Sequence, residues 1–272
     1  MIRENTRKLQ RSFSFDSQGG IAGGTVTSAH CLSVVTTSWD DGHPLDLRIA
    51  DLLGRYGIAG TFYVPKRASW PVMSPVEIRN LSSRFEIGSH LLEHCTLDRL
   101  TDDKAREQLS GSREWVEQIT GKPCRTLCFP GGKYRYRQLS LVRGAGYLSA
   151  RTTELLSTDF PRRVEGLALI STTVQAYPHS PLAYAKNAFR RRSWGNLVRT
   201  RALFCGRAWL ELAGKLFEWT LSRGGVFHLW GHSWEIEQEH QWDQLEKLLA
   251  VLAANKDKLI VMTNAEMGCY AH

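Results

Sequence analysis

Residues 85–97 read FEIGSHLLEHCTL, with His90 and His94 four apart behind an extended apolar stretch. On a helix, imidazoles at that spacing share one face about a turn apart, close enough to hold one divalent cation. Two histidines are equally at home on an ordinary helix surface, so the pair gains meaning only from a third donor. SWDDG supplies it: Asp40 and Asp41 follow a β-branched run. On a strand end two successive side chains diverge, so one carboxylate can ligate while the other moves a proton. Asp-Asp-Gly is also ordinary turn chemistry. Two imidazoles and a carboxylate would leave an open position for water, as hydrolytic metal sites do.

The elements that must position these groups alternate. CLSVVTTSW, IAGTFYVP, FEIGSH, RTLCFPGG, YLSARTT, GGVFHLW and LIVMTN read as strands. Between them, LDLRIADLLGRYG carries Leu45, Ile49, Leu52 and Leu53 on one helical stripe with Gly57 as its stop. SPVEIRNLSSR opens with a serine cap, proline and glutamate, and TDDKAREQLSGSREWVEQITG opens at Thr101 with acids in its first turn. Strand, helix, strand, repeated, predicts a parallel sheet. In such folds loops from distant segments converge on a ligand at the C-terminal strand ends. Asp40-Asp41, His90, FPGG and WGHSWE all stand at such ends, so four separated loops can build one site.

Composition bounds the partners. The chain has 272 residues, 42% hydrophobic and 23% charged, with a formal charge of +8. This is ordinary globular usage with an excess suited to an anionic partner. The start, MIRENTRKLQRSF, lacks the apolar segment of a secretory signal, and no run approaches the ~18 apolar residues of a membrane span. Six cysteines without a CxxC pair read as free thiols in a reducing compartment. A cytoplasmic protein is expected, with residues 1–30 a loose leader and 31–272 one domain.

Together these residues resemble the polysaccharide deacetylase family. SWDDG resembles its Thr-Phe-Asp-Asp-Gly motif, with Trp39 in the aromatic place. GSHLLEHCTL resembles its His-Ser/Thr-x-x-His motif, with Leu91 where a hydroxyl residue is usual. LCFPGGKY resembles a variant of its Arg-Pro-Pro-Gly loop, and FHLWGHS its late strand. Order and spacing agree over about residues 33–264. The resemblance implies a distorted (β/α) barrel with fewer than eight strands and a metal-dependent hydrolase that removes an acyl group, N-acetyl foremost, from a sugar. Asp41, His90 and His94 would ligate the metal, zinc first and Co2+, Ni2+ or Fe2+ as alternatives. Asp40 would be the base and His232, rather than His228, the acid. Pro130, Gly131, Gly132 and Tyr134 would form a substrate loop with backbone oxyanion donors, and Trp230 and Trp234 a sugar-stacking wall. The motif arginine that pairs with the catalytic aspartate is replaced by Cys128; Arg151, at the next strand end, is the expected substitute.

Residues 181–222 depart from the pattern. Arg190, Arg191, Arg192, Arg199, Arg201 and Arg207 interleave with Trp194, Phe204, Trp209 and Trp219. A basic aromatic helical insert suits an anionic membrane surface or an acidic or lipid-linked glycan, and equally a helical cap on the barrel. Two other functions compete. A non-catalytic carbohydrate-binding protein is favoured by the lost arginine and opposed by the retained Asp40, Asp41, His90 and His94. Nucleic-acid binding finds no recognisable motif.

Overall fold

Strand β1 (Ser33–Trp39) is buried along its whole length, on both faces, which only a parallel sheet covered on each side provides. Its one edge pairs over seven residues with β9 (Gly225–Gly231), from Ser33↔Gly225 to Trp39↔Gly231. Its other edge is shared: β10 (Ile260–Val261) takes Val34 and Val35, and β2 (Thr61–Val64) takes Ser38 and Trp39. From β2 the sheet continues through β3 (Glu86–Ser89), β4 (Thr126–Cys128), β5 (Ser149–Arg151) and β7 (Leu167–Ile170), every pair parallel. Beyond β9 lies β8 (Val174–Gln175), also parallel. An antiparallel strand, β6 (Arg162–Val164), closes the edge beside β7. The computed structural model describes residues 32–200 and 209–271, and Cys31–His272 forms one compact unit. The leader expected at 1–30, and Arg201, Phe204 and Arg207 of the insert, lie outside the described residues. This is the distorted, deacetylase-like barrel expected, a curled and open sheet clothed in helices, but with ten strands among the described residues where fewer than eight were expected.

The helices in chain order are α1 (Asp46–Tyr56), α2 (Pro75–Ser82), α3 (Asp102–Thr120), α4 (Leu139–Gly144), α5 (Pro181–Arg191), α6 (Trp194–Thr200), α7 (Trp209–Arg223), α8 (Ser233–Gln238), α9 (Trp242–Ala253) and α10 (Asn264–Gly268). Local chemistry sets several boundaries. Ser74 and Glu77 make a reciprocal capping box on α2 with Pro75 in the first turn. Thr101 caps α3, and left-handed glycines, Gly57 at φ 59° and Gly121 at φ 67°, end α1 and α3. Ile49 and Leu53 of α1, Ile78 and Leu81 of α2, Leu109 and Val116 of α3, and Leu245 and Leu249 of α9 share one core with Val35, Phe62, Leu127 and Phe227 of the sheet. Among the described residues no helix is long and apolar enough to cross a membrane. Cys95, Cys124, Cys128 and Cys269 are free.

Two features go beyond the sequence reading. The chain between the fifth strand and the insert extends the sheet at both ends, with the β6–β7 hairpin beside β5 and β8 beside β9. The hairpin's turn, Glu165-Gly166, has positive φ at both positions (51° and 74°), which suits a two-residue hairpin. The second is a polar network linking β1, β2, β4 and α10. Thr36 donates to Asn264 Oδ1 (2.9 Å), Asn264 Nδ2 to Tyr63 Oη (2.9 Å), and Tyr63 shares a hydrogen with Thr126 (2.9 Å). Buried hydroxyls are tolerated when every one is partnered.

Gly88 is the cross-strand neighbour of Tyr63, and a Cβ there would meet the tyrosine ring at 2.5 Å and Thr126 Cγ2 at 3.0 Å. Gly88→Ala should therefore destabilise the protein by about 1–3 kcal/mol, the usual cost of overpacking a filled core. Urea unfolding measures it; a variant as stable as wild type would show that Tyr63 moves freely.

Candidate active site and metal centre

The parallel arrangement aligns the C-terminal ends of β1, β3, β4, β5 and β9, and each delivers a polar group. Asp40 and Asp41 follow β1, His90 follows β3, Cys128 ends β4, Arg151 ends β5, and His232 follows β9. Asp40 is pinned to the neighbouring strand end through its amide, which donates to Gly231 O at 3.0 Å. At Asp41 the chain turns into the left-handed region, φ 80°, followed by Gly42 at φ 59°. For a non-glycine residue that backbone costs of order 1–3 kcal/mol. Asp-Asp-Gly is thus both a turn and a device that aims the carboxylates apart.

His90 and His94 converge without a helix. Residues 90–96 carry no regular structure, which corrects the helical geometry expected for the pair. Leu91 (φ 65°) and His94 (φ 47°) bend the chain back on itself, and side chains take the place of the missing backbone bonds. Ser89 Oγ accepts from Leu91 N (3.2 Å), and Gln108 Oε1 accepts from both Leu92 N and Glu93 N (3.1 Å each). Leu91, in the place of a hydroxyl residue, is fully buried. His90 Nδ1 faces the carbonyl of Cys128 at 2.9 Å. A carbonyl only accepts, so Nδ1 carries the proton and Nε2 presents its lone pair. That Nε2 lies 3.6 Å from Asp41 Oδ1, and His94 Nε2 lies 3.2 Å from the same oxygen.

The donor atoms of Asp41, His90 and His94 all lie within 4.8 Å of one another. Asp41 Oδ1 is buried, with no hydrogen-bond partner among the described residues. An anionic oxygen facing two imidazole nitrogens, one of them a fixed lone pair, is the arrangement a divalent cation satisfies, and the donor types fit one. Burial alone would raise the Asp41 carboxyl; the His90 and His94 imidazoles against it and the charge of His232 hold it far below the usual carboxylate range. Asp40, His90 and Cys128 form a second group of suitable atoms. There burial pushes the Cys128 thiol well up, and Asp40 is already taken by a cation, so that set suits a metal less.

The cation on Asp40 is Arg151. Its guanidinium bonds Asp40 Oδ2, and both side chains are buried. The same planar group lies 4.5 Å from the ring centre of Trp230 and 5.7 Å from that of Tyr63. Arg151 therefore occupies the electrostatic place of the missing motif arginine, reaching Asp40 from β5 rather than β4. Burial would raise Asp40's carboxyl; Arg151, then His90 and His232, lower it, so it is ionised at neutral pH. Its other oxygen, Oδ1, is buried and has no hydrogen-bond partner among the described residues.

The two late histidines have different surroundings. His228 sits inside β9, fully buried, with Nε2 2.9 Å from Ser38 Oγ and Nδ1 2.9 Å from Ser171 O. Burial and the nearby Arg151 charge lower its pKa to about 3, so it is a neutral strut. His232 is half-buried beside the carboxylates, with Nε2 4.0 Å from Asp40 Oδ2 and 3.9 Å from Asp41 Oδ2. Its Nδ1 lies 2.5 Å from Glu235 Oε2. Burial works against its charge, but the Glu235 hydrogen bond and the Asp40 charge prevail and raise its pKa to about 9. Gln175 Nε2 holds Glu235 in turn (2.8 Å), and His179 Nε2 lies 2.8 Å from Gln175 Oε1.

A cavity of about 620 Å³ opens over these groups, lined by Asp40, Asp41, His90, His94 and His232 among others. From the expected substrate loop only Gly131 lines it; Pro130, Gly132 and Tyr134 do not. The amides of Gly132 and Lys133 donate to Phe129 O and Pro130 O, so these two are spent within the loop rather than offered to an oxyanion. Tyr134 stacks on Phe129 at 4.2 Å. Trp230 lines the cavity while remaining buried against Arg151. Trp234 is more open, and its Nε1 donates to Asp41 Oδ2 at 2.9 Å. Sequence reasoning missed Trp70, whose Nε1 donates to Asp41 O (3.1 Å) and whose ring meets His94 edge-on at 4.7 Å. It also missed Glu235, legible as the acid three residues after His232, and the Gln175–His179 relay, which carried no local signal. Asp46 is a third carboxyl behind the site. Burial first, then Asp41 and Asp40, raises its pKa well up, and Ser233 Oγ donates to it at 2.5 Å.

The sequence model of the polysaccharide deacetylases matches residues 29–150. Among solved structures, a Mycobacterium smegmatis protein assigned to the polysaccharide deacetylases has TM-score 0.65 at 17% identity over 92% of this chain and 93% of its own. A Pseudomonas aeruginosa PAO1 protein assigned to the same group has TM-score 0.62 at 14% identity over 88% and 90%. A family 4 acetyl xylan esterase from Clostridium thermocellum, solved with a cobalt ion, has TM-score 0.52 at 13% identity over 88% and 91%. A comparison with curated proteins finds no match. The chain thus resembles the polysaccharide deacetylases by sequence over residues 29–150, and shares the fold of these solved structures over nearly its whole length.

If Asp41, His90 and His94 hold a cation, the purified protein should bind one equivalent of zinc, and His94→Ala should weaken it by about tenfold or more, the scale seen when a metal site loses supporting donors. Calorimetric titration of the stripped protein measures this. Equal affinity in both proteins would sink the site.

Proposed function

We propose that this protein is a metal-dependent hydrolase that removes an acyl group, N-acetyl first, from a sugar of a glycan or lipid-linked glycan precursor. One observation carries the reading: a group of three metal-type donors stands beside Asp40, an ionised carboxylate whose Oδ1 has no hydrogen-bond partner among the described residues. Binding a sugar needs neither feature. An amide carbonyl is a poor electrophile and water a poor nucleophile, so hydrolysis near neutral pH needs an electrophile, a base and an acid. A divalent cation, with zinc favoured by the donor set and cobalt, nickel or iron also suited, would polarise the acyl oxygen and acidify water there.

The chain's own groups do the proton work. Asp40 Oδ1 accepts the proton of the attacking water while Arg151 holds Oδ2 and keeps the carboxyl ionised. The carbonyl carbon gains that oxygen and loses the amine. His232, charged and held at Nδ1 by Glu235, donates from Nε2 to the departing nitrogen. The products are a carboxylate and a free amino sugar. The alternative, a non-catalytic carbohydrate-binding protein, drew its support from the missing motif arginine, and Arg151 on Asp40 removes that support.

Acyl release from acetylated and formylated amino sugars, with zinc, cobalt, nickel or iron supplied, tests the reading. Asp40→Asn should lower kcat/KM by about 10²–10⁴ while metal stoichiometry stays the same, since Asp40 is not one of the three donors. Arg151→Gln should raise the Asp40 pKa. The base works only when ionised, so the acid limb of the pH profile should move to higher pH. A metal-loaded wild type that releases nothing from the whole panel, or an Asp40→Asn variant of full activity, would overturn it.

Contact with a membrane surface through the insert is part of the same proposal. Leu182, Phe189, Trp194 and Val198 are exposed apolar groups of α5 and α6, beside Arg190 and Arg192. An amphipathic basic surface of this kind binds anionic lipid. The protein should float with vesicles containing anionic lipid and less so after Phe189→Ser with Trp194→Ser. Equal flotation of the two would remove the membrane contact.

A further inference from the structure

The cavity has a wall that the acyl chemistry leaves unused. Helix α5 presents Ala183, Lys186, Asn187 and Arg190 to it, at spacings of three, four and seven that make one stripe. Asn187 fastens the helix in place: its Oδ1 accepts from Leu155 N (3.1 Å) and its Nδ2 donates to Thr153 O (2.7 Å). Arg191, on the adjacent face, bonds Thr153 Oγ1. Lys186 and Arg190 have no such task. Among the described residues neither makes an ion pair or a hydrogen bond. Meanwhile the cavity's own carboxylates are engaged, Asp40 with Arg151 and Asp41 with its histidines. Burial and then the charge of Arg190 lower the pKa of Arg191, so positive charge is crowded here.

Two uncommitted cations on one helix face, opposite a floor whose Asp40 is already paired with Arg151, favour an anion held by both. We infer that the acylated sugar this site takes bears a phosphate, which Lys186 and Arg190 bind while the acyl group lies over Asp40 and Asp41. A cavity of about 620 Å³ is the size of a site for a single small ligand, so charge and acyl group fall within one molecule. Phosphate rather than carboxylate matches a paired lysine and arginine, since it offers more charge and more acceptor oxygens. This rests on the hydrolase reading for the acyl group, but anion capture has its own readout. A free sugar phosphate and a lipid-linked one share the chemistry, and the exposed Phe189 and Trp194 on the same insert make both worth testing.

The experiment uses the metal-loaded full chain, wild type beside the double variant Lys186→Gln with Arg190→Gln. The probes are N-acetylglucosamine, its 1-phosphate, and its diphosphate ester to a polyisoprenol in phosphatidylcholine vesicles. The ratio of kcat/KM for the phosphorylated over the neutral sugar should fall by about tenfold or more in the variant, the loss of at least one charge-assisted contact. Preference for the vesicle probe over the free phosphate would identify the lipid-linked source; the reverse would identify the soluble one. An unchanged ratio overturns the inference, as does an equal fall in Arg192→Gln, which lies outside the cavity and would report only the general surface charge. If no probe releases acyl groups, the hydrolase reading fails; the inference is then read from glucosamine 1-phosphate, which has no acyl group. Calorimetry should show it bound at least about tenfold more weakly by the double variant, and equal affinity would overturn the inference.

Discussion

The buried ion pair of Asp40 and Arg151 is the interaction around which the rest of this site is arranged, because two adjacent carboxylates cannot be taken out of water without compensation. Each buried charge costs several kcal/mol in desolvation, and its neighbour of like sign adds to that. The fold answers with Arg151 on Asp40, with imidazoles on Asp41, and with His232 between them. Asp46, just behind, makes no ion pair among the described residues, and burial together with the two charged neighbours raises its pKa well up. The outcome is a pair of ionised carboxylates in an environment that would otherwise neutralise them. Each keeps one oxygen, Oδ1, without a hydrogen-bond partner among the described residues.

Compensation of this kind is geometric rather than local. Asp40 comes from β1 and Arg151 from β5, with β2, β3 and β4 between them in the sheet. Their side chains meet only because the sheet curls, bringing strand ends across its interior. Trp230 and Tyr63 then flank the guanidinium and exclude water from it. An arginine is suited to such a place because its charge is weakly hydrated and its plane stacks on rings. The position of the arginine in sequence matters less than the position of its charge, so Cys128 can stand at the end of β4 while the fifth strand supplies the cation.

The same geometry shows why the insert belongs to the site. Helix α5 is fastened by Asn187 and Arg191 to the segment after β5, the strand that carries Arg151. Its cationic stripe is therefore held against the cavity by the backbone that follows Arg151. Two faces of one helix look in different directions, basic toward the cavity and apolar toward solvent at Leu182 and Phe189.

Much of the barrel was legible in the sequence. β-Branched runs, a capping box at Ser74–Glu77 and stop glycines at Gly57 and Gly121 act within a few residues of themselves, so they can be read without the fold. Asp40, Asp41, His90 and His94 were legible for a related reason: their spacing is itself the motif. The chain's own order of residues did not say that the His90–His94 segment is a loop, because Gln108 and Ser89, which replace its backbone bonds, act through space. Nor did it reveal that Trp70 braces Asp41, that Gln175 and His179 stand behind Glu235, or that Lys186 and Arg190 face the cavity. Sequence by itself determined the elements and the chemical groups, since those depend on local propensity and residue type. Only the tertiary structure decided which charges meet, since an electrostatic partnership depends on distance and burial, and both arise when remote strand ends are packed together.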